Sequence, residues 1–141
     1  PPRSTLFPYT TLFRSYNSLR LVVNKQTDFD EVLREFHKAL KDYGLIESMD
    51  YRLFRKVFVN EHIDKQIRWI GEPNELKYLI KSLRENKLIK PLIGFWPLTC
   101  KCFVIMGNPD KVLEPDYLAK CNTPNRTKRK EIDSIINLLV N

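Results

Sequence analysis

The chain has 141 residues, of which 43% are hydrophobic and 29% are charged, and this balance excludes a disordered polypeptide. The longest weakly charged stretch, residues 91–109, holds three prolines, two glycines and Lys101, which excludes a membrane-spanning helix. The three cysteines are too few for a disulfide framework and favour a reducing, cytoplasmic location. We therefore expect a protein of the cytoplasm with no membrane partner.

The net charge of +7 is distributed unevenly along the chain. Residues 1–15 carry two arginines and no acid, residues 16–65 are neutral, and residues 66–141 hold an excess of five positive charges. We interpret residues 16–65 as a helical N-terminal part and residues 66–141 as a basic C-terminal lobe. A basic lobe favours a polyanionic partner, nucleic acid above all, and ordinary surface charge is the alternative explanation.

The first residues of the chain have an unusual composition. Residues 5–15, Thr-Leu-Phe-Pro-Tyr-Thr-Thr-Leu-Phe-Arg-Ser, match the in-frame translation of a common short-read sequencing adapter. Pro8 and three threonines interrupt the apolar run that a signal peptide requires. We therefore expect residues 1–15 to be an adapter-derived artefact in a metagenomic sequence, and residues 16–141 to be a fragment of a longer protein.

Two helices are predicted in the N-terminal part. The clearest is TDFDEVLREFHKALKDYG, residues 27–44, with an apolar stripe at helical spacing, Thr27 as N-cap and Gly44 in the left-handed position that follows the last turn. His37 lies beside the stripe, where we expect a boundary histidine with no catalytic or metal-binding role. The second helix is predicted over DYRLFRKVFVNEHI, residues 50–63.

The basic lobe begins with a short predicted strand and continues with helices. KQIRWIG, residues 65–71, alternates apolar and polar side chains, and EPNELKYLIKSLRENKLI, residues 72–89, has the spacing of a helix. Residues 97–106 fit both helical and strand periodicity, and we favour a helix because Trp96-Pro97 is a common helix start. A short helical turn is predicted within residues 113–122. A last helix is predicted from Thr127, its expected N-cap, towards the C-terminus.

No catalytic or metal-binding motif stands out. Cys100 and Cys102 lack the spacing of a zinc-ligand pair, and Cys121, His37 and His62 are scattered. The carboxylates at positions 110, 114 and 116 could bind a cation, but we favour a role in capping and solubilising a loop. The sequence contains no nucleophile elbow, phosphate-binding loop or dinucleotide-binding fingerprint. We expect no cofactor, no metal and no enzymatic activity.

The strongest chemical signal is the cluster NRTKRK, residues 125–130. Arg126, Lys128, Arg129 and Lys130 place four cations at a predicted helix start, where they oppose the helix dipole and so do not serve local helix stability. These cations are suited to contact phosphates, and a solvated basic face is the alternative. Lys101, the only charge between positions 96 and 106, is a second candidate nucleic-acid contact.

The segment IRWIGEPNELKYLIKSLRENKLI, residues 67–89, resembles the C-terminal region of RteC-like proteins, which are regulators carried by conjugative elements. The similarity extends over residues 50–141. Further counterparts of the family pattern are Cys102-Phe103, Tyr117-Leu118, Asn125-Arg126-Thr127-Lys128 and Asp133. The resemblance implies a winged-helix or helix-turn-helix-like lobe in which residues 73–86 support and residues 97–106 face the DNA groove. Within residues 97–106, Thr99 and Lys101 are the only side chains suited to base edges or phosphates.

These observations predict a mainly α fold with a short strand, in which a helical bundle leads into a winged-helix-like lobe. The predicted function is a non-enzymatic, DNA-binding regulatory module of a mobile genetic element, with duplex DNA as its partner. The alternative is a helical protein–protein interaction or dimerisation module without DNA binding. In that case the partner is a second copy of the chain or another regulator.

Overall fold

The computed structural model describes residues 18–23, 28–89 and 95–140, so the stretch interpreted as adapter-derived lies outside the described residues. The described residues form a mainly helical fold with a small sheet, in agreement with the predicted class. The elements in chain order are α1 (Phe29–Asp42), α2 (Tyr51–Val57), β1 (Ile67–Trp69), α3 (Pro73–Glu85), α4 (Phe95–Cys102), β2 (Phe103–Ile105), β3 (Lys111–Val112), α5 (Pro115–Ala119) and α6 (Arg126–Val140).

Helix α1 follows its sequence pattern closely. The middle of its predicted apolar stripe, Val32, Leu33, Phe36 and Leu40, is buried, whereas Phe29 is only half-buried and Tyr43 is exposed. Gly44 adopts the expected left-handed conformation with φ of 71°. The N-cap is Asp28, whose side chain accepts a hydrogen bond from the backbone N–H of Asp30 at 3.1 Å. The predicted cap, Thr27, lies outside the described residues.

Helix α2 is shorter than predicted. Asp50 caps its start by accepting from the N–H of Arg52 at 2.8 Å, but the helix ends at Val57 instead of continuing to residue 63. The cause is a tertiary contact: Asn60 has a positive φ of 58°, and its N–H donates to the carbonyl of Leu19 at 3.0 Å. The chain that follows α2 is thereby paired with residues 19–21 and cannot continue the helix.

The three strands form one sheet in the order β1-β2-β3. Strands β1 and β2 are parallel, with Ile67 opposite Phe103, and the chain between them crosses over through α3 and α4. Strands β2 and β3 are antiparallel and form a hairpin. The predicted strand is therefore confirmed as β1. The predicted helix over residues 97–106 is wrong beyond Cys102, because residues 103–105 leave the helix to pair with β1.

One hydrophobic core joins the N-terminal part to the basic lobe. Helix α6 packs against both α1 and α3, and its predicted stripe of Ile132, Ile135, Ile136 and Leu139 is buried. The rings of Trp69 and Phe103 meet edge to face across the sheet at 6.1 Å, and both side chains are fully buried. This packing fixes which faces of α3, α4 and α6 remain available to a partner.

Candidate nucleic-acid interface

The basic cluster opens helix α6 as predicted, although the cap differs. Asn125, two residues before the expected Thr127, accepts a hydrogen bond from the N–H of Lys128 at 2.9 Å and also bonds Arg129 through its carbonyl. The cations oppose the helix dipole, so α6 depends on this cap and on its buried apolar stripe. The first turns are thus held in a fixed geometry despite the repulsion among their charges.

Three of the four cations share one exposed side of the helix. Arg126, Arg129 and Lys130 are three and four positions apart, which places them on the same face, and all three are exposed. No acidic group within the described part of the chain forms an ion pair with any of them. We call these three residues the α6 basic face.

Lys128 differs from the α6 basic face. Its Nζ lies 3.3 Å from Oε2 of Glu131, and the residue is half-buried. Part of its charge is therefore already neutralised before any partner arrives. The structure brings the four predicted residues together on one helix. Three of them have a charged group that forms no ion pair with the described residues.

Lys101 lies on a different element and in a different environment. It is exposed near the end of α4, and its carbonyl accepts a hydrogen bond from Nε2 of Gln66, beside the start of β1, at 3.0 Å. Helix α4 packs against α5 and β2, whereas α6 packs against α1 and α3. Lys101 is therefore a separate contact point and not a member of the α6 basic face.

The rest of α4 is not arranged for reading DNA bases. Thr99, the other predicted polar contact, is 0% exposed, and Leu98, Cys100 and Cys102 are also buried. Thr99 was a candidate groove contact, and its burial excludes that role. Beyond Lys101, the described side chains of α4 give base edges no exposed hydrogen-bonding group.

A groove that the sequence did not predict runs between α3 and the chain that leads into α6. Its two halves have volumes of about 200 and 310 Å³ and share Asn74, Cys121 and Asn122. We call it the α3 groove. Its aromatic and cationic lining residues are Lys77, Tyr78, Lys81, Tyr117 and Lys120. Its residues are too far apart in the chain for sequence spacing to bring them together.

Hydrogen bonds fix the walls of the α3 groove and connect it to α6. Nζ of Lys77 donates to the carbonyls of Ala119 at 2.6 Å and Cys121 at 2.9 Å, which anchors the end of α5 on α3. The hydroxyl of Tyr78 donates to Oδ1 of Asp133 on α6 at 2.8 Å. Burial and this carboxylate raise the pKa of Tyr78, so the hydroxyl remains a donor at neutral pH.

The loop carboxylate Asp110 and the buried cysteines Cys100 and Cys102 have structural roles. Arg68 binds Asp110 through two hydrogen bonds of 2.8 Å and also contacts Glu47, which lowers the pKa of Asp110 and commits this predicted loop carboxylate to an ion pair. Burial raises the pKa of Cys100 to about 11 and that of Cys102 to about 12, so both thiols are protonated. Over residues 18–23, 28–89 and 95–140, no three metal-ligating side chains lie together.

His37 is more buried than the predicted boundary position, with 8% of its surface exposed. Its ring stacks on that of Phe54 at a centroid distance of 4.4 Å, and its Nε2 is buried with no hydrogen-bond partner among the described groups. Burial lowers the pKa of His37, with a smaller contribution in the same direction from Lys41. The residue is a neutral member of the α1–α2 contact.

No protein-family model, no curated protein and no solved structure matches the chain. The function is therefore inferred from the chain's own residues, and the RteC-like resemblance stays a prediction. None of the described helices is both long enough and apolar enough to cross a membrane.

Proposed function

We propose that this chain is a non-enzymatic DNA-binding module that holds the phosphate backbone of duplex DNA through the α6 basic face. The observation that carries the proposal is the set of three exposed cations on one side of a capped helix, with no acidic partner among the described residues. Guanidinium and ammonium groups in this arrangement release counterions from DNA when they bind phosphates. Lys128 and Lys101 add weaker contacts.

The order of elements supports a winged-helix-like lobe as part of the proposal. Helices α3 and α4 are followed directly by the β2–β3 hairpin, whose exposed Lys111 could approach a phosphate beside the helices. Helix α4 presents Lys101 alone, so it acts in this proposal as a buried support and not as a base-reading helix. Binding should then depend on the DNA backbone more than on its sequence.

On the RteC-like resemblance, this module would serve transcription regulation in a mobile genetic element. Regulation by such a module requires a further source of sequence preference, either DNA shape or another part of a longer protein. The chemistry proposed for the described residues is the non-specific backbone contact alone.

The experiment that tests the proposal is a titration of the protein with two unrelated duplexes over a series of salt concentrations. We expect the logarithm of the affinity to fall linearly with the logarithm of salt concentration, with similar slopes for both duplexes. Replacing Arg126, Lys128, Arg129 and Lys130 together by Gln should weaken both complexes by a similar factor. A slope near zero, or no binding at low salt, would reject the proposal.

A second candidate function is a protein–protein interaction module, which exposed apolar side chains favour. Val112 on the edge strand β3 is 76% exposed, and Ile70 and Met106, at the ends of neighbouring strands, are 48% and 41% exposed. Such residues are frequent at contact surfaces between proteins. This function predicts a mass that rises with protein concentration in light scattering and falls again in Val112→Lys. A constant monomer mass would count against it.

A further inference from the structure

We propose that the α3 groove binds a segment of single-stranded DNA, with one base stacked on Tyr117 and the neighbouring phosphates held by Lys81 and Lys120. This inference rests on the proposed nucleic-acid binding and extends it from the duplex backbone to an unpaired strand. It gives the module a second contact surface, distinct from the α6 basic face and adjacent to it.

The first reason is the alternation of aromatic rings and cations along the groove. Tyr78 and Lys81 lie on α3 and line one half of the groove, and Tyr117 and Lys120 lie on or just after α5 and line the other half. Single-stranded nucleic acids bind surfaces of this kind, because bases stack on the rings while cations follow the backbone. Tyr117 is 58% exposed, so its ring face is available to an incoming base.

The second reason is that two lysines of the groove are exposed and have no strong ion pair within the described ranges. Lys120 is exposed and has no ion pair within the described ranges. The side chain of Lys81 is 60% exposed, and its nearest carboxylate, that of Glu85, lies 3.9 Å away, which is a weak surface pair. Lys77 is committed to two backbone carbonyls and serves to shape the wall. The acids that line the groove, Glu72 and Glu85, belong to opposite halves.

The third reason is the size of the groove and its position next to α6. Volumes of about 200 and 310 Å³ are enough for individual nucleotides but not for a duplex, whose bases are already stacked on each other. The hydrogen bond from Tyr78 to Asp133 places the groove beside the first turns of α6. A strand leaving a duplex on the α6 basic face could therefore enter the groove directly.

Cys121 provides a direct test, because it lines both halves of the groove. Cys100 and Cys102 are buried, whereas Cys121 is half-buried, so a thiol reagent at pH 8 should alkylate Cys121 first. We expect a thymidine oligonucleotide of about 10 residues to slow this alkylation at least about fivefold. A duplex at the same degree of saturation should leave the alkylation rate nearly unchanged.

A pair of tyrosine variants gives a second, independent readout. Tyr117→Ala should lower the affinity for the oligonucleotide about tenfold and leave duplex affinity unchanged. The matched control is Tyr43→Ala, which removes another exposed tyrosine, 40% exposed, from the end of α1. Circular dichroism of both variants checks that the fold is retained.

The outcomes separate this inference from the proposed function. Duplex binding without protection of Cys121, together with equal oligonucleotide affinities for Tyr117→Ala and Tyr43→Ala, would overturn the groove inference and leave the proposed function standing. Oligonucleotide binding with Cys121 protection but without salt-dependent duplex binding would reject the duplex function. Absence of binding to either nucleic acid would reject both.

Discussion

Helix α4 and the first turns of α6 were both predicted to contact DNA, and the structure places them in opposite environments. In α4, residues 98–100 and 102 are buried, and Lys101 is the one exposed cation. In α6, the buried stripe begins only at Ile132, so the preceding turns extend beyond the core. A helix can therefore present side chains to a partner only where neighbouring elements do not cover it.

The largest effect should come from the covered region that follows α4. Phe103→Ala should lower the free energy of unfolding by about 3–5 kcal/mol, because Phe103 is fully buried against Trp69. Urea denaturation followed by circular dichroism measures the change. Lys101→Gln, two residues away and exposed, is the control and should stay within about 0.5 kcal/mol. Similar small losses for both variants would contradict the burial difference.

A smaller loss is expected at Gly71, just after β1. A Cβ at this position would lie 3.0 Å from Nε1 of Trp69 and 3.2 Å from Cδ2 of Leu45, so Gly71→Ala should cost about 1–3 kcal/mol of stability. Thermal unfolding measures it. Gly44→Asn is a suitable contrast, because a Cβ there meets nothing within 4 Å and Asn tolerates the left-handed conformation. An equal or greater cost at Gly44 would contradict the tight contact assigned to Gly71.

Within α6, the ion pair of Lys128 should distinguish neighbouring cations. Arg129→Gln should weaken duplex binding by about 1 kcal/mol, and Lys128→Gln by clearly less, because Glu131 already holds Lys128. Fluorescence anisotropy with a labelled duplex gives both affinities. Glu131→Gln should release Lys128 and strengthen binding. Equal losses for Arg129→Gln and Lys128→Gln would show that the ion pair does not limit Lys128.

The smallest effect concerns pH and His37, which lies in the contact between α1 and α2. An unfolded histidine titrates near pH 6.5, and burial lowers the pKa of His37 in the folded chain. Between these two values the unfolded chain binds more protons, so the free energy of unfolding should fall as the pH drops below about 6.5, by no more than about 1.4 kcal/mol per pH unit. Above about pH 6.5 His37 is neutral in both the folded and the unfolded chain, so the free energy of unfolding keeps its full value.

In His37→Gln, the free energy of unfolding measured from pH 7.5 to 5 should no longer fall in this way. His62→Gln is the matched control, because His62 is exposed, and it should behave as the original chain does. Lys41 and Asp50 influence His37 in opposite directions and are present in all three proteins. An unchanged pH profile in His37→Gln would contradict the assignment.

Much of the fold could be predicted from local patterns. The stripe of α1, the left-handed Gly44, strand β1 and the stripe of α6 follow from periodicity and capping, because each depends on residues close in the chain. The end of α2 and the change from α4 to β2 at Cys102 could not, because they depend on Leu19 and on β1 as distant partners. Local periodicity contains no information about those partners.

The candidate site, like the fold, could be predicted from the sequence only in part. Exposure of the α6 cations was predictable, because clustered charges are almost never buried. The burial of Thr99 and the pairing of Lys128 with Glu131 required knowledge of neighbouring elements and of side-chain geometry. The α3 groove was not predictable either, since Lys81 and Tyr117 come from separate parts of the chain and line its two different halves.

Two variants with the same loss of charge test most directly whether duplex DNA binds the α6 basic face. One replaces Arg126, Arg129 and Lys130 by Gln, and the other replaces Lys38, Lys41 and Lys65, which are exposed in the N-terminal part. We predict that the first variant lowers the salt slope of duplex binding by about 2.7, while the second keeps the slope of the original chain. Equal slopes for the two variants would contradict an interface on the α6 basic face.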